Sequence, residues 1–132
     1  MRYYKTLGVW KASNLQIDTN RMFAQSYGWW NLLDTIDGVV VLNTYNYSVS
    51  TVRHRYKTIA LLDKLGLRWH VEIEAPRGLQ DLECAERHYI SKIKALESLM
   101  NNPRTRAAKN LERAQEILSL KEKLNIIKNL RG

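Results

Sequence analysis

Residues 46–57 read NYSVSTVRHRYK: three aliphatic hydroxyls (Ser48, Ser50, Thr51), a histidine (His54) and three cations (Arg53, Arg55, Lys57), with no acid among them. Hydroxyls and cations at a helix start suit an anion, because the first-turn backbone N–H groups point outward and the helix dipole favours negative charge there. Ser48, Ser50, Thr51, Arg53, His54 and Lys57 are therefore the expected phosphate-binding set. On a helix, 53 and 57 share a face while 54 lies a hundred or so degrees round, beside 50 and 58, so they cannot all reach one ligand. The same residues also suit a plain capped helix with a solvated basic face. Against that reading, cations in a first turn oppose the dipole by roughly a few tenths of a kcal/mol each, which a bound anion would offset. The stretch contains no Gly-rich loop and no GK[ST], so it is not a P-loop.

Other residues invite chemistry of their own. His70, Glu72 and Glu74 recur with period two beside Arg68, as acid/base groups or cation ligands on one strand face would, or as charges of both signs on a wet sheet face. If a parallel strand pair brings the two strand ends together, His54 with Glu72 and Glu74 is the one catalytic constellation that can be drawn. Trp29, Trp30, Tyr45 and Tyr47 suit base stacking or, equally, core packing. Arg104, Arg106, Lys109 and Arg113 crowd a helix start against Glu112 alone, forming a secondary basic patch. The single cysteine, Cys84, excludes an internal disulfide and a cysteine-based zinc cluster. No cofactor or metal is expected, and no hydrolase or zincin motif occurs.

The elements that must position these groups follow from periodicity. Residues 2–10 are aromatic and β-favouring, a first strand. Residues 21–36 keep helical spacing through Met22, Phe23, Tyr27, Trp30 and Leu33, weakened by Gly28, and predict a helix ending before Asp37-Gly38. Residues 38–47 predict a strand, apolar at its start and alternating at its end. A helix follows from the Ser48–Ser50 region to Gly66, with an apolar stripe of Val52, Tyr56, Ile59 and Leu62 and an N-cap at Ser48 or Ser50. Residues 67–75 alternate strictly, with Leu67, Trp69, Val71, Ile73 and Ala75 on one face. Together 38–75 spell strand–helix–strand, closed by parallel strands. Two long helices, 79–101 and 104–131, flank Asn101-Asn102-Pro103, where Asn102 can cap and Pro103 suits a first helical position. They predict an antiparallel hairpin whose free face pairs with another copy.

The fold class is therefore α+β or a small α/β fold: a core over 1–78 and a helical hairpin over 79–132, read as one folded unit. At 45% hydrophobic the chain can build a core. Its formal net charge of +8 is spread evenly: ten Lys/Arg against six Asp/Glu in 1–78, and eleven against seven in 79–132. That excess draws the chain to nucleic acid, nucleotides or acidic partners. Four Trp and seven Tyr against one Phe favour half-buried and interfacial sites. The N-terminal residues lack an apolar leader and no run is long enough to span a membrane, so the expected location is cytoplasmic.

Two resemblances bear on function. The strand ending in Glu72-Ile73-Glu74-Ala75 is similar to the acid-bearing strand of nucleases with the restriction-endonuclease fold. Those carry E-x-K, and here E-x-E lacks the lysine that would activate water. The segment YNYSVSTVRHRYKTIALLDKLGL resembles a Tyr-Ser…Thr…His segment, followed by a leucine-rich helix, in small bacteriophage proteins. In those a glutamine follows the histidine, where this chain has Arg55. That resemblance implies a phage accessory that binds or blocks a host component such as a defence system, acting in the host cytoplasm, and carries no activity with it. The leading expectation is a non-enzymatic binding module for a nucleotide or nucleic acid, homo-oligomeric through its C-terminal helices. The alternatives are a protein–protein inhibitor acting on a host protein through helices and aromatics, and a metal-dependent phosphodiesterase or nuclease using His54 and Glu72/Glu74.

Overall fold

A computed structural model describes residues 4–6, 8–104 and 107–132, with backbone alone for 4–6. The expected α+β class holds. Among the described residues one sheet of seven strands runs in chain order: β1 (Tyr4–Thr6), β2 (Val9–Ala12), β3 (Leu15–Asp18), β4 (Phe23–Ser26), β5 (Trp30–Ile36), β6 (Val39–Asn43) and β7 (Val71–Ile73). β1 to β6 form an antiparallel meander, and β7 pairs parallel to β6. Helix α1 (Val49–Lys64) makes the β6–β7 crossover; α2 (Leu82–Met100) and α3 (Ala107–Arg131) follow and pack on each other.

The sheet separates two cores. Leu15, Ile17, Ala24, Trp30, Leu33, Val40 and Leu42 pack with Leu61 and Leu62 of α1. Val41, Ile73 and Ala75 pack with Ala85, Tyr89 and Ile93 of α2 and Ile117, Leu120 and Ile127 of α3. The alternation Val40–Val41–Leu42 serves both at once, which is why β6 reads as continuously apolar.

Several expectations are corrected. Residues 21–36 form no helix; they are the β4–β5 hairpin. The register shifts between Ala24 and Gln25, so Leu32 and Leu33 are both buried and strict alternation is lost. That bulge is what let the apolar spacing imitate a helix. The described part of the expected single strand over 2–10 is two antiparallel strands, β1 and β2, residues 2, 3 and 7 lying outside the described residues, and β2 and β3 make a further hairpin turned at Ser13-Asn14. β6 stops at Asn43, not 47, and 44–48 run as irregular chain. In 67–75 only 71–73 are strand. Leu67 and Trp69 pack in the α1 core, whereas Val71, Ile73 and Ala75 face the hairpin core, so the alternating set does not share one face. The chain leaves α1 on one side and enters the sheet at His70, whose N–H and Nδ1 bond Val40 O and N–H, both at 2.8 Å. Finally α3 starts at Ala107, and Asn102 Oδ1 accepts the Arg104 N–H at 3.0 Å in a turn instead of capping a helix at Pro103.

Candidate functional site

The strand ends of β4, β5 and β6 converge on the start of α1, and the local sequence explains each piece. Ser48 is the N-cap: its Oγ accepts the Thr51 N–H at 3.1 Å, and Thr51 Oγ1 accepts the Ser48 N–H at 2.8 Å. This is a capping box with threonine in the place usually held by Glu or Gln. Two of the three expected phosphate hydroxyls are thus bonded to each other, and Thr51 is buried. No acid stands in the first turn of α1.

The inner face of α1 is not the apolar stripe that the sequence suggested. Tyr56 is 64% exposed, and the buried residues are Thr51, His54, Arg55 and Thr58, with Leu61 and Leu62 only at the C-terminal end. Burying polar groups is tolerable when each finds a partner. His54 Nδ1 lies 2.5 Å from Ser26 Oγ on β4, and Thr58 Oγ1 donates to His54 O at 2.8 Å. Arg55 donates to Tyr45 O at 3.2 Å and Asn46 Oδ1 at 2.7 Å, clamping the chain between β6 and α1. Burial, aided by the Lys57 charge, holds the His54 pKa below the ordinary imidazole range. Sequence reading missed Arg55 and Ser26. The signal was present as polar residues at 51, 54, 55 and 58, helical spacing for one face.

Asn43 closes the end of β6. Fully buried, it donates from Nδ2 to Asn31 O and Ala75 O and accepts at Oδ1 from Tyr45 N–H and Ala75 N–H. It thereby joins β5, the segment after β7 and the loop carrying Tyr45 and Tyr47.

Over this polar frame sit aromatic rings. Tyr47 stacks on buried Trp30 (centroids 6.0 Å, planes 27° apart) and meets the edge of Trp29 at 5.7 Å. Tyr47 is 53% exposed and Trp29 43%. Of the two adjacent tryptophans, then, Trp29 offers a surface and Trp30 supports Tyr47 from below, its Nε1 donating to Pro76 O. Tyr45 is half-buried against His88. Gln80 pins the other side of the turn, donating to Trp29 O at 2.6 Å and accepting the Asn31 N–H at 3.0 Å. Gln25 donates to Asn31, and Asn31 to Asp34, whose carboxyl pKa is raised by burial although Thr35 and Asn31 bond it and Arg21 is near. Next to this turn an open hollow of about 210 Å³ is lined by Lys11, Asn14, Gln16, Gln25 and Gly28.

The remaining candidates fall elsewhere. Arg53 is exposed and Lys57 and Ser50 are half-exposed on α1. The drawn catalytic trio has three separate sets of partners: His54 with Ser26, Glu72 with Trp69 Nε1, and Glu74 with Lys92 at 3.2 Å and His88 at 3.4 Å. Tyr89 Oη accepts the Glu74 N–H, and burial pushes the phenol up to about 12. Arg68 pairs with Asp63 at the surface. Among the described residues no three His, Cys, Asp or Glu side chains converge as a cation site, and no helix is long and apolar enough to cross a membrane. In the secondary basic patch Arg104 and Lys109 are exposed, Arg113 bonds Asn110, and Arg106 lies outside the described residues.

No protein-family model, curated protein or solved structure matches the chain.

Proposed function

We propose that the protein is a small basic binding module for a nucleotide or nucleic acid, held where β6 passes into α1. The observation that carries this reading is the exposed edge contact of Trp29 and Tyr47 at the mouth of a helix whose first turn has no acid and whose next residues include Arg53. Rings offer π faces to bases, and Arg53, Lys57 and Ser50 offer charge and donors to phosphate. Ser48, Thr51 and His54 serve as the frame, fixing the helix start through the capping box and the contact of His54 Nδ1 with Ser26.

The test is a fluorescence titration with a labelled mixed-sequence oligonucleotide at two salt concentrations. Binding should weaken with salt, and Arg53→Ala should lower affinity severalfold and reduce the salt slope by about 0.7 to 0.9, the contribution of one phosphate contact. Salt-independent binding, or none, would sink the reading.

A protein partner on the C-terminal hairpin is the second reading. Leu111 and Leu118, one heptad apart on α3, are 64% and 63% exposed, and Leu118 borders an open groove of about 410 Å³ with Met100, Ala114 and Ile117. A second copy or a host protein fits such a surface. Leu118→Glu would abolish that association and leave oligonucleotide binding unchanged.

A further inference from the structure

We infer that Tyr27, a residue outside the set above, is a third contact of the aromatic surface, and that the ligand is specifically single-stranded nucleic acid with an unpaired base against these rings. The inference rests on the nucleic-acid reading and names its substrate class.

Tyr27 and Gly28 both take positive φ, 57° and 74°, in the connection between β4 and β5. Left-handed backbone suits glycine, and Asn or Asp among other residues; for a bulky side chain it is an outlier. Two other hairpin turns of the sheet obey that preference, with Asn14 at 58° and Asp37 at 51°. Met22, at 48°, is a second bulky exception, but its side chain packs into the α1 core. Tyr27 remains 45% exposed, so burial does less to offset its conformation.

What the turn achieves is placement. Ser26, the residue before it, is fixed to His54, and the Tyr27 ring lies 5.4 Å from the His54 ring at 43°. The Tyr27 N–H donates to Asn14 O at 2.7 Å, tying the tip to the neighbouring hairpin. Trp29, two residues on, meets Tyr47. Tyr27, Trp29 and Tyr47 therefore stand partly exposed around one hairpin tip. The faces of paired bases are occupied by stacking within a duplex, whereas an unpaired base has a face to give. Strain of this kind persists where the surroundings over-determine it, and it clusters at ligand-binding surfaces.

The experiment compares Tyr27→Asn, Tyr27→Leu and Tyr27→Phe in the full chain for melting temperature and for affinity toward a labelled oligothymidine strand and a matched duplex. Asn-Gly is a favoured pair for positive φ, so Tyr27→Asn should melt no lower than the parent, and higher if the strain is real. Its affinity for the strand should fall about tenfold or more, the loss expected for one stacking residue. Tyr27→Leu, which keeps bulk and removes the π face, should lose as much, and Tyr27→Phe should stay within about twofold of the parent. The duplex should bind at least about tenfold more weakly than the strand. Unchanged strand affinity in both Tyr27→Asn and Tyr27→Leu would overturn the assignment of Tyr27. Equal affinity for duplex and strand would overturn the substrate class. A parent protein that binds neither would instead remove the reading on which the inference rests.

Discussion

The two ends of the central sheet are built from the same kind of tight connection and differ in what they carry. At one end β5 turns into β6 through Asp37-Gly38, both at positive φ, with Ile36 paired to Val39. Both turn residues are exposed, and aspartate is at home in that conformation. At the other end Tyr27-Gly28 takes similar angles, but a ring stands where a short polar side chain would cost less, and around it lie Trp29, Tyr47 and the start of α1. The Asp37-Gly38 turn only reverses the chain. The other end is over-built: Asn43, Arg55 and His54 with Ser26 spend buried polar groups on holding loops in place, and Ser48 with Thr51 caps the helix beside them. The difference teaches where to look for function, since buried polar networks are costly and the Asp37-Gly38 turn shows that the sheet can reverse without one.

Three perturbations sharpen the contrast. The largest effect is expected for Asn43→Ala. It leaves the Ala75 and Tyr45 N–H groups without their acceptor, while Ala75 O and Asn31 O keep the Gly78 and Leu79 N–H groups, and each buried group so orphaned costs about 1–3 kcal/mol. A loss of about 3 kcal/mol or more in urea unfolding is expected; a loss below about 1 kcal/mol would mean that water replaces the side chain and the over-built end is less rigid than drawn. Next, Asp37→Tyr places at the plain end the residue type found at the other. It should cost about 1 kcal/mol through left-handed strain and leave oligonucleotide affinity unchanged. If it costs nothing, tyrosine tolerates this turn and the strain at Tyr27 has no force. The smallest effect is in pH. The His54 pKa is lowered in the folded protein, so between that value and the ordinary value near 6.5 the unfolded chain binds more protons. The stabilisation is complete above the unfolded value and is lost as pH falls through 6.5 toward the folded value. Unfolding followed between pH 7 and 5 should therefore show a flatter loss of stability in His54→Gln than in the parent; parallel curves would mean that His54 is not held neutral by burial.

The helices α2 and α3 were legible because each buries an apolar stripe over many turns, and α1 through its Ser48 cap and Gly66 stop: all three lie within a few residues of their expected bounds, as does the β6–α1–β7 unit with its parallel closure. The β4–β5 hairpin was not legible, because a bulge between Ala24 and Gln25 breaks the period of two over a stretch too short to recover it. The candidate site divides in the same way. Ser48 as a cap follows from residue type, whereas which of Trp29 and Trp30 stays exposed was decided by the hairpin that the sequence pattern disguised. Arg55 as a clamp and Tyr27 as part of the tip depend on partners ten or more residues away.

Composition, charge and periodicity by themselves determined the α+β class, the helical hairpin and the hydroxyl-rich helix start, since these depend on local propensity and on summed charge. Tertiary structure alone decided which polar residues face inward, which rings remain outside and which loops meet at one end of the sheet. Those outcomes rest on contacts between segments distant in the chain: His54 with Ser26, Arg55 with Tyr45 and Asn46, and Tyr47 with Trp29 and Trp30. A local pattern holds no record of such pairings, because the same side chain is a solvated charge or a buried clamp according to what the fold brings beside it.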